Sequence, residues 1–207
     1  AEKGWLFRRL SPYLPMSQAV YAGEFRMIPL IRAIAILLIM TPALAVAGPP
    51  KNYERLDSET SLPSDSFTNG LGVEMQLGDF HGKVVLLNLW ATWCGPCVRE
   101  MPHLDKLQAM LGGADFEVVA LSSDRGGVEK VEPFFRRTNV DHLEIYLDPK
   151  NRIARALGAR GLPTTYIIDA EGRLLGSVAG ALDWTAPEIV DWLKGIIARR
   201  QEQALAG

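Results

Sequence analysis

The sequence predicts an α/β protein, a central mixed sheet with helices on both faces. Three observations carry that reading. Val84–Trp90 and Phe116–Leu121 are near-continuous apolar runs, the mark of strands covered on both sides. Each is followed by a stretch whose apolar residues recur at helical spacing, so the strands pair in parallel through helical crossovers. Near the end, two β-type runs are joined by Asp169-Ala170-Glu171-Gly172, a hairpin turn that adds antiparallel strands.

Taken in order, Val73–Leu77 alternates apolar and polar residues as a half-buried strand does, and Val84–Trp90 is the first buried strand. Met101, Leu104, Leu107 and Leu111 define a helix that Gly112-Gly113 ends. Phe116–Leu121 is the second buried strand and Val128–Phe135 a second helix. Leu143–Leu147 reads as a short strand, and Ile153–Leu157 as a short helix closed by Gly158. Thr164–Ile168 and Leu174–Val178 form the hairpin. Thr185-Ala186-Pro187-Glu188 fits a capping box with Pro in the first turn, opening a final helix with Ile189, Leu193, Ile196 and Ile197 buried. No internal repeat or low-complexity tract interrupts the pattern.

The 207 residues are 48% hydrophobic and 22% charged, which excludes bulk disorder and suits one domain with extra segments. Two cysteines cannot build a disulfide scaffold, so an apolar core must hold the fold. Residues 1–47 carry a net charge of +3 and the remainder −5. An acidic globular part lacks the basic footprint that nucleic acid requires.

The basic arm is explained by targeting. Arg32 precedes the apolar run Ala33–Ala47, which ends in Ala45-Val46-Ala47 with small residues at −3 and −1. A basic start, a short apolar stretch and an A-x-A end describe a signal peptide, placed at residues 27–47 because Met27 could begin it. Two outcomes stay open: cleavage after Ala47, or an uncleaved membrane anchor through residues 28–47. Either places the globular part in the periplasm. Residues 1–26 show no period and receive no function, residues 48–70 with Pro49, Pro50 and Pro63 read as a linker, and the folded domain is expected over residues 71–207.

The chemistry lies in Trp93-Cys94-Gly95-Pro96-Cys97, directly after a buried strand and at the start of a helix. Unpaired N–H groups and the partial positive charge of a helix start favour a thiolate at Cys94. Lowering a thiol pKa from about 8.5 to about 7 corresponds to about 2 kcal/mol. Cys94, first and more exposed, is the expected nucleophile; Cys97, one turn deeper, is the resolving thiol. A closed zinc site needs four ligands, whereas the chain offers one Cys pair and the scattered His81, His103 and His142, so no metal is expected. His103 reads as a solvated helix residue.

Two segments resemble a known family. Asn88-Leu89-Trp90-Ala91-Thr92-Trp93-Cys94-Gly95-Pro96-Cys97 resembles the active-site strand and loop of the thioredoxin superfamily. Gly161-Leu162-Pro163-Thr164-Thr165-Tyr166-Ile167-Ile168-Asp169 resembles its second signature. With Arg99-Glu100-Met101-Pro102, the export signal and the extra unit Leu143–Leu157, the chain is similar to the TlpA-like or ResA-like branch over roughly residues 70–200.

The resemblance implies a thioredoxin-like three-layer fold with an inserted strand–helix unit before a cis-proline loop. It implies a reversible Cys94–Cys97 disulfide and a cis Pro163 facing it. The backbone at Leu162 would then be free to pair with an extended substrate segment. Trp93, Gly95, Pro96, Leu162, Pro163 and Thr164 become the expected substrate-contact surface. Pro102 should kink the helix. The branch carries an acid at Glu100, three residues after Cys97 on the same helical face, where it could take the Cys97 proton; Glu also simply suits an early helical turn. Ordinary thioredoxin has a buried Asp where this chain has Asn88, and an amide cannot act as base.

The functional expectation is an exported thiol–disulfide oxidoreductase acting as a reductase of protein disulfides. The resemblance points to cytochrome c or copper-oxidase assembly substrates and to a membrane thiol electron donor, and it implies no cofactor. Gly-Pro between the cysteines resembles thioredoxin, at the reducing end near −270 mV. The alternatives are a disulfide oxidase or isomerase, or a copper-binding assembly factor of the same fold.

Overall fold

The computed structural model describes residues 47–56 and 61–206. The extension over residues 1–26 and the apolar run assigned to export, up to residue 46, lie outside those residues.

Strands β1 (Tyr53–Arg55), β2 (Phe67–Asn69), β3 (Glu74–Met75), β4 (Val84–Trp90), β5 (Phe116–Ser122), β6 (Tyr146–Leu147), β7 (Thr164–Ile168) and β8 (Leu174–Ala179) form one sheet. Its order is β1-β8-β7-β4-β5-β6-β2-β3. β4, β5 and β6 run parallel, while β7 and β8 are antiparallel, as the hairpin signal predicts. The helices are α1 (Gly95–Leu111), α2 (Val128–Thr138), α3 (Arg152–Ala156) and α4 (Pro187–Ala206).

The side chains of β4 sort by parity. Val84, Leu86 and Trp90 enter one apolar cluster, with residues of α1, α2 and α4, while Val85, Leu87 and Leu89 enter a second, with Ile153 of α3. A strand period of two puts alternate residues on opposite faces. Asn88 therefore shares the face of Leu86 and Trp90, beneath α1. The fold is the expected thioredoxin-like three-layer arrangement, with β6 and α3 as the inserted unit before the proline loop.

Three expectations are corrected. The stretch 48–70, read as a linker, supplies two strands. Tyr53↔Val178 pairs β1 with β8, and Tyr53 donates its hydroxyl to the Leu175 carbonyl at 2.7 Å. In β2, Phe67 is buried against the rings of Phe80 and Tyr146. Three-residue strands in proline-rich sequence are held by their sheet partners and contacts rather than by propensity.

The strand expected over Val73–Leu77 shrinks to Glu74–Met75. Asn69 Oδ1 accepts from Leu71 N–H and Val73 N–H, and Gly72 has a φ of +79°, so a tight turn consumes the first residue. Leu77 begins a 3-10 turn to Phe80. Finally, Thr185 does not cap α4, which starts at Pro187. Its hydroxyl and N–H both donate to Asp183 Oδ1, at 2.7 and 2.9 Å. Ala186 caps through its carbonyl, which accepts from Ile189 and Val190.

Candidate active site

β4 ends beneath the start of α1; the connection Ala91–Cys94 carries the first cysteine, and Cys97 lies in the first turn of α1. Cys94 is the N-cap, in extended backbone, and its Sγ accepts from the Cys97 N–H at 3.3 Å. The two sulfurs form a disulfide, with Cα atoms 5.3 Å apart. Cys97 is completely buried and Cys94 is 6% exposed, so Cys94 is the more accessible residue of the pair. Gly95 and Pro96 make the exposed first turn, and Trp93 is 70% exposed beside them. Trp90, by contrast, is buried core, stacked on Phe135 at 5.8 Å. Pro102 lies inside α1, which continues past it.

The second signature arrives through the sheet. Leu89 pairs with Thr164 in the β4–β7 ladder, so Pro163 lies at the end of β4 from which the cysteine loop departs. The Leu162–Pro163 bond is cis. The Pro163 carbonyl accepts from Gly180 N–H at 2.9 Å, and the Thr164 hydroxyl donates to the Gly161 carbonyl at 2.8 Å. Leu162 is half-buried, and among the described residues its N–H and carbonyl take part in no hydrogen bond.

Glu100 is one helical turn beyond Cys97 and only 2% exposed. Its Oε1 accepts from Asn88 Nδ2 at 2.8 Å and its Oε2 from Leu182 N–H at 3.1 Å. Asn88 Nδ2 also donates to Thr165 Oγ1 at 2.9 Å, on the same sheet face. Burial holds the Glu100 carboxyl above the usual carboxylate range, against the opposing pull of donors at Asn88, Leu182 and Trp184. Neither of the two groups that hydrogen-bond this carboxyl carries a charge.

A second carboxylate was missed in the sequence. Asp124, just past β5, is buried and accepts from Thr92 N–H at 2.8 Å, Thr92 hydroxyl at 2.7 Å and Ser122 hydroxyl at 2.8 Å. It pins the residue two before Cys94. The signal was present: Ser122-Ser123-Asp124 is a polar run at the end of the buried strand parallel to β4.

His103, expected in solvent, is half-buried with its Nδ1 3.2 Å from Asp183 Oδ1. His142 pairs with Asp105 at 2.9 Å, away from the cysteines along α1. Among the described residues, no group of three or more His, Cys, Asp or Glu could hold a metal ion, and no helix is long and apolar enough to cross a membrane.

Comparison with known proteins agrees with this geometry. The Redoxin family model matches residues 57–192. The thiol–disulfide oxidoreductase ResA of Bacillus cereus is 29% identical over 166 residues, spanning 79% of this chain and 94% of the relative. ResA of Bacillus subtilis is 30% identical over 154 residues, spanning 71% and 83%. The crystal structure of a Chlorobium tepidum protein assigned as the thiol:disulfide interchange protein DsbE superposes with a TM-score of 0.58 at 29% identity, covering 70% of this chain and 98% of that one. With a cysteine pair at a helix start, a cis proline beside it and a buried carboxyl one turn on, the chain belongs to the Redoxin family and is a thiol–disulfide oxidoreductase of the ResA kind.

Proposed function

We propose that this oxidoreductase is exported through residues 27–47 and works in the periplasm as a reductase of protein disulfides. The observation that carries the mechanism is the unequal burial of the two cysteines within one helical turn. In the reduced form, the Cys94 thiolate attacks a substrate disulfide, one substrate sulfur leaves as a thiolate and a mixed disulfide forms. Glu100 then takes the proton of Cys97, whose thiolate attacks Cys94 Sγ. The Cys94–Cys97 bond forms, the bond to the substrate breaks, and the second substrate sulfur leaves as a thiolate. Both substrate thiolates take up protons. Two electrons pass from the dithiol to the substrate.

The exposed Trp93, Gly95 and Pro96, with the half-buried Leu162, form the docking surface above the buried Pro163 and Thr164, and the unpaired Leu162 backbone suits strand-like pairing with an extended segment. Gly95-Pro96 supports the reducing direction. A reductase outside the cytoplasm must be recharged, so a membrane thiol donor is required. Disulfide-bearing apocytochromes c and copper-oxidase subunits are the substrates proposed.

Cys97→Ser tests this reading. With no resolving thiol, the mixed disulfide lacks a fast intramolecular exit, so the variant should hold partners covalently until reductant is added. Cys94→Ser should trap none. Trapping through Cys97 alone, or by neither variant in an exported preparation, defeats the mechanism. The identities captured name the substrate, and the reduction potential of the pair decides between reductase and oxidase.

A further inference from the structure

The connection from β8 to α4 crosses the active-site helix and touches it at two points one turn apart. Leu182 N–H donates to Glu100 Oε2 at 3.1 Å, and Asp183 Oδ1 lies 3.2 Å from His103 Nδ1. The next residue, Trp184, is completely buried in the apolar cluster that contains Cys94 and Cys97. Its indole N–H is also buried and makes no hydrogen bond, and the carboxyl near it is that of Glu100, which Leu182 two residues back already reaches.

Leaving a buried donor unsatisfied costs about 1–3 kcal/mol, so such a group calls for a reason. Filling space is not one, because Phe would fill most of it with no polar atom to satisfy. Glu100, for its part, has spare capacity. An ionised carboxylate offers about four acceptor positions, and only Asn88 and Leu182 occupy them here. An unused buried donor therefore lies near an under-used buried acceptor.

We infer that Trp184 is a positioning residue for Glu100: when Glu100 ionises, the indole N–H closes on the carboxylate as a third donor beside Asn88 Nδ2 and Leu182 N–H, and so sets the pH at which Glu100 can accept the Cys97 proton. The inference rests on the reading of Glu100 as that acceptor. Hydrogen bonds to an ionised group are stronger than neutral ones, so the contact gains strength as the charge appears. The same closure ties the β8–α4 connection more firmly to α1 in one protonation state than in the other. The other groups that face or flank Glu100 are Asn88 and Thr165 from the sheet, Cys97 one turn back, Arg99 beside it, and the His103–Asp183 pair one turn on.

The test follows the oxidised full-length protein by NMR from acid to mildly alkaline pH. It records the Trp184 indole N–H, assigned by its loss in Trp184→Phe, together with the Glu100 side-chain carboxyl carbon. Both signals should move in one shared step, and the indole step should vanish in Glu100→Gln. A step that survives Glu100→Gln belongs to His103 and overturns the inference, as does an indole signal that stays still while Glu100 titrates. These wild-type and Glu100→Gln measurements decide the matter even if Trp184→Phe does not fold.

If Trp184→Phe does fold, its Glu100 carboxyl should titrate at higher pH. Its mixed disulfide should resolve about tenfold more slowly at neutral pH, the loss expected of one hydrogen bond to a charged group, and recover as pH rises. An unchanged Glu100 titration in that variant also overturns the inference. Failure of the underlying reading looks different: resolution by Glu100→Gln would match wild type even where the carboxyl and indole titrate together.

Discussion

Two buried carboxylates flank the reactive cysteines, and they are bound in opposite ways. Asp124 receives three donors on two oxygens from Thr92 and Ser122, at 2.7–2.8 Å. Glu100 receives one donor per oxygen, from residues 12 and 82 positions away in sequence. The first has three donors, and it fixes the loop before Cys94 by tying it to the neighbouring strand end. The second is desolvated and has one donor per oxygen, and burial holds its carboxyl above the usual carboxylate range.

That contrast can be broken most severely at the clamp. Asp124→Ala leaves the Thr92 N–H and two hydroxyls without their acceptor, and should cost about 3 kcal/mol of folding stability by urea denaturation. Asp124→Asn, which keeps the size and one acceptor oxygen, should lose less. Equal and negligible losses in both variants would show that the loop is held elsewhere.

Glu100→Gln sharpens the other side. Resolution of the mixed disulfide should slow by about a hundredfold at neutral pH, within the range of general base catalysis, with the first attack by Cys94 largely unchanged. Rapid-quench analysis of the two steps separates them. An effect confined to the first attack would assign Glu100 to Cys94 instead.

A smaller effect follows from linkage. The Glu100 carboxyl holds its proton more tightly in the folded state than an exposed Glu does. The folded protein therefore binds more protons between the two values, and this group lowers stability as pH rises from the ordinary Glu range through its folded pKa. Glu100→Gln should remove that slope, measured as urea midpoints over pH. A slope of opposite sign in wild type, assigned to Glu100 by difference, would contradict the burial argument.

The smallest effect belongs to His142, held on its pKa's high side by the hydrogen bond to Asp105. Its contribution is fully present below the ordinary His value and is lost as pH rises through the folded one. His142→Ala should flatten that weak dependence, and because the ring is exposed, salt should weaken it in wild type.

Much of the centre of the fold was legible because its signals are local. β4 has the bounds expected, and the helix after the cysteines ends at Gly112 as expected. Apolar runs and stop residues act over a few positions, and burial then enforces them. The edges were not legible. β1 and β2 are short strands whose backbone pairs with residues far along the chain, Tyr53 with Val178 and Asn69 with Tyr146, and nothing in Pro- and Ser-containing sequence announces such partners. Thr185 was misread for a related reason, since its hydroxyl had a competing acceptor two residues back.

The sequence by itself determined the chemistry: two cysteines in one helical turn, placed after a buried strand, leave few other uses for the pair. It also placed Glu100 one turn beyond Cys97, because helical spacing is a local property. Only the tertiary structure decided what Glu100 can do there. Its partners Asn88 and Leu182 belong to a strand and a connection brought beneath and across α1 by the sheet order, and the proton affinity of a buried carboxyl depends on such distant donors.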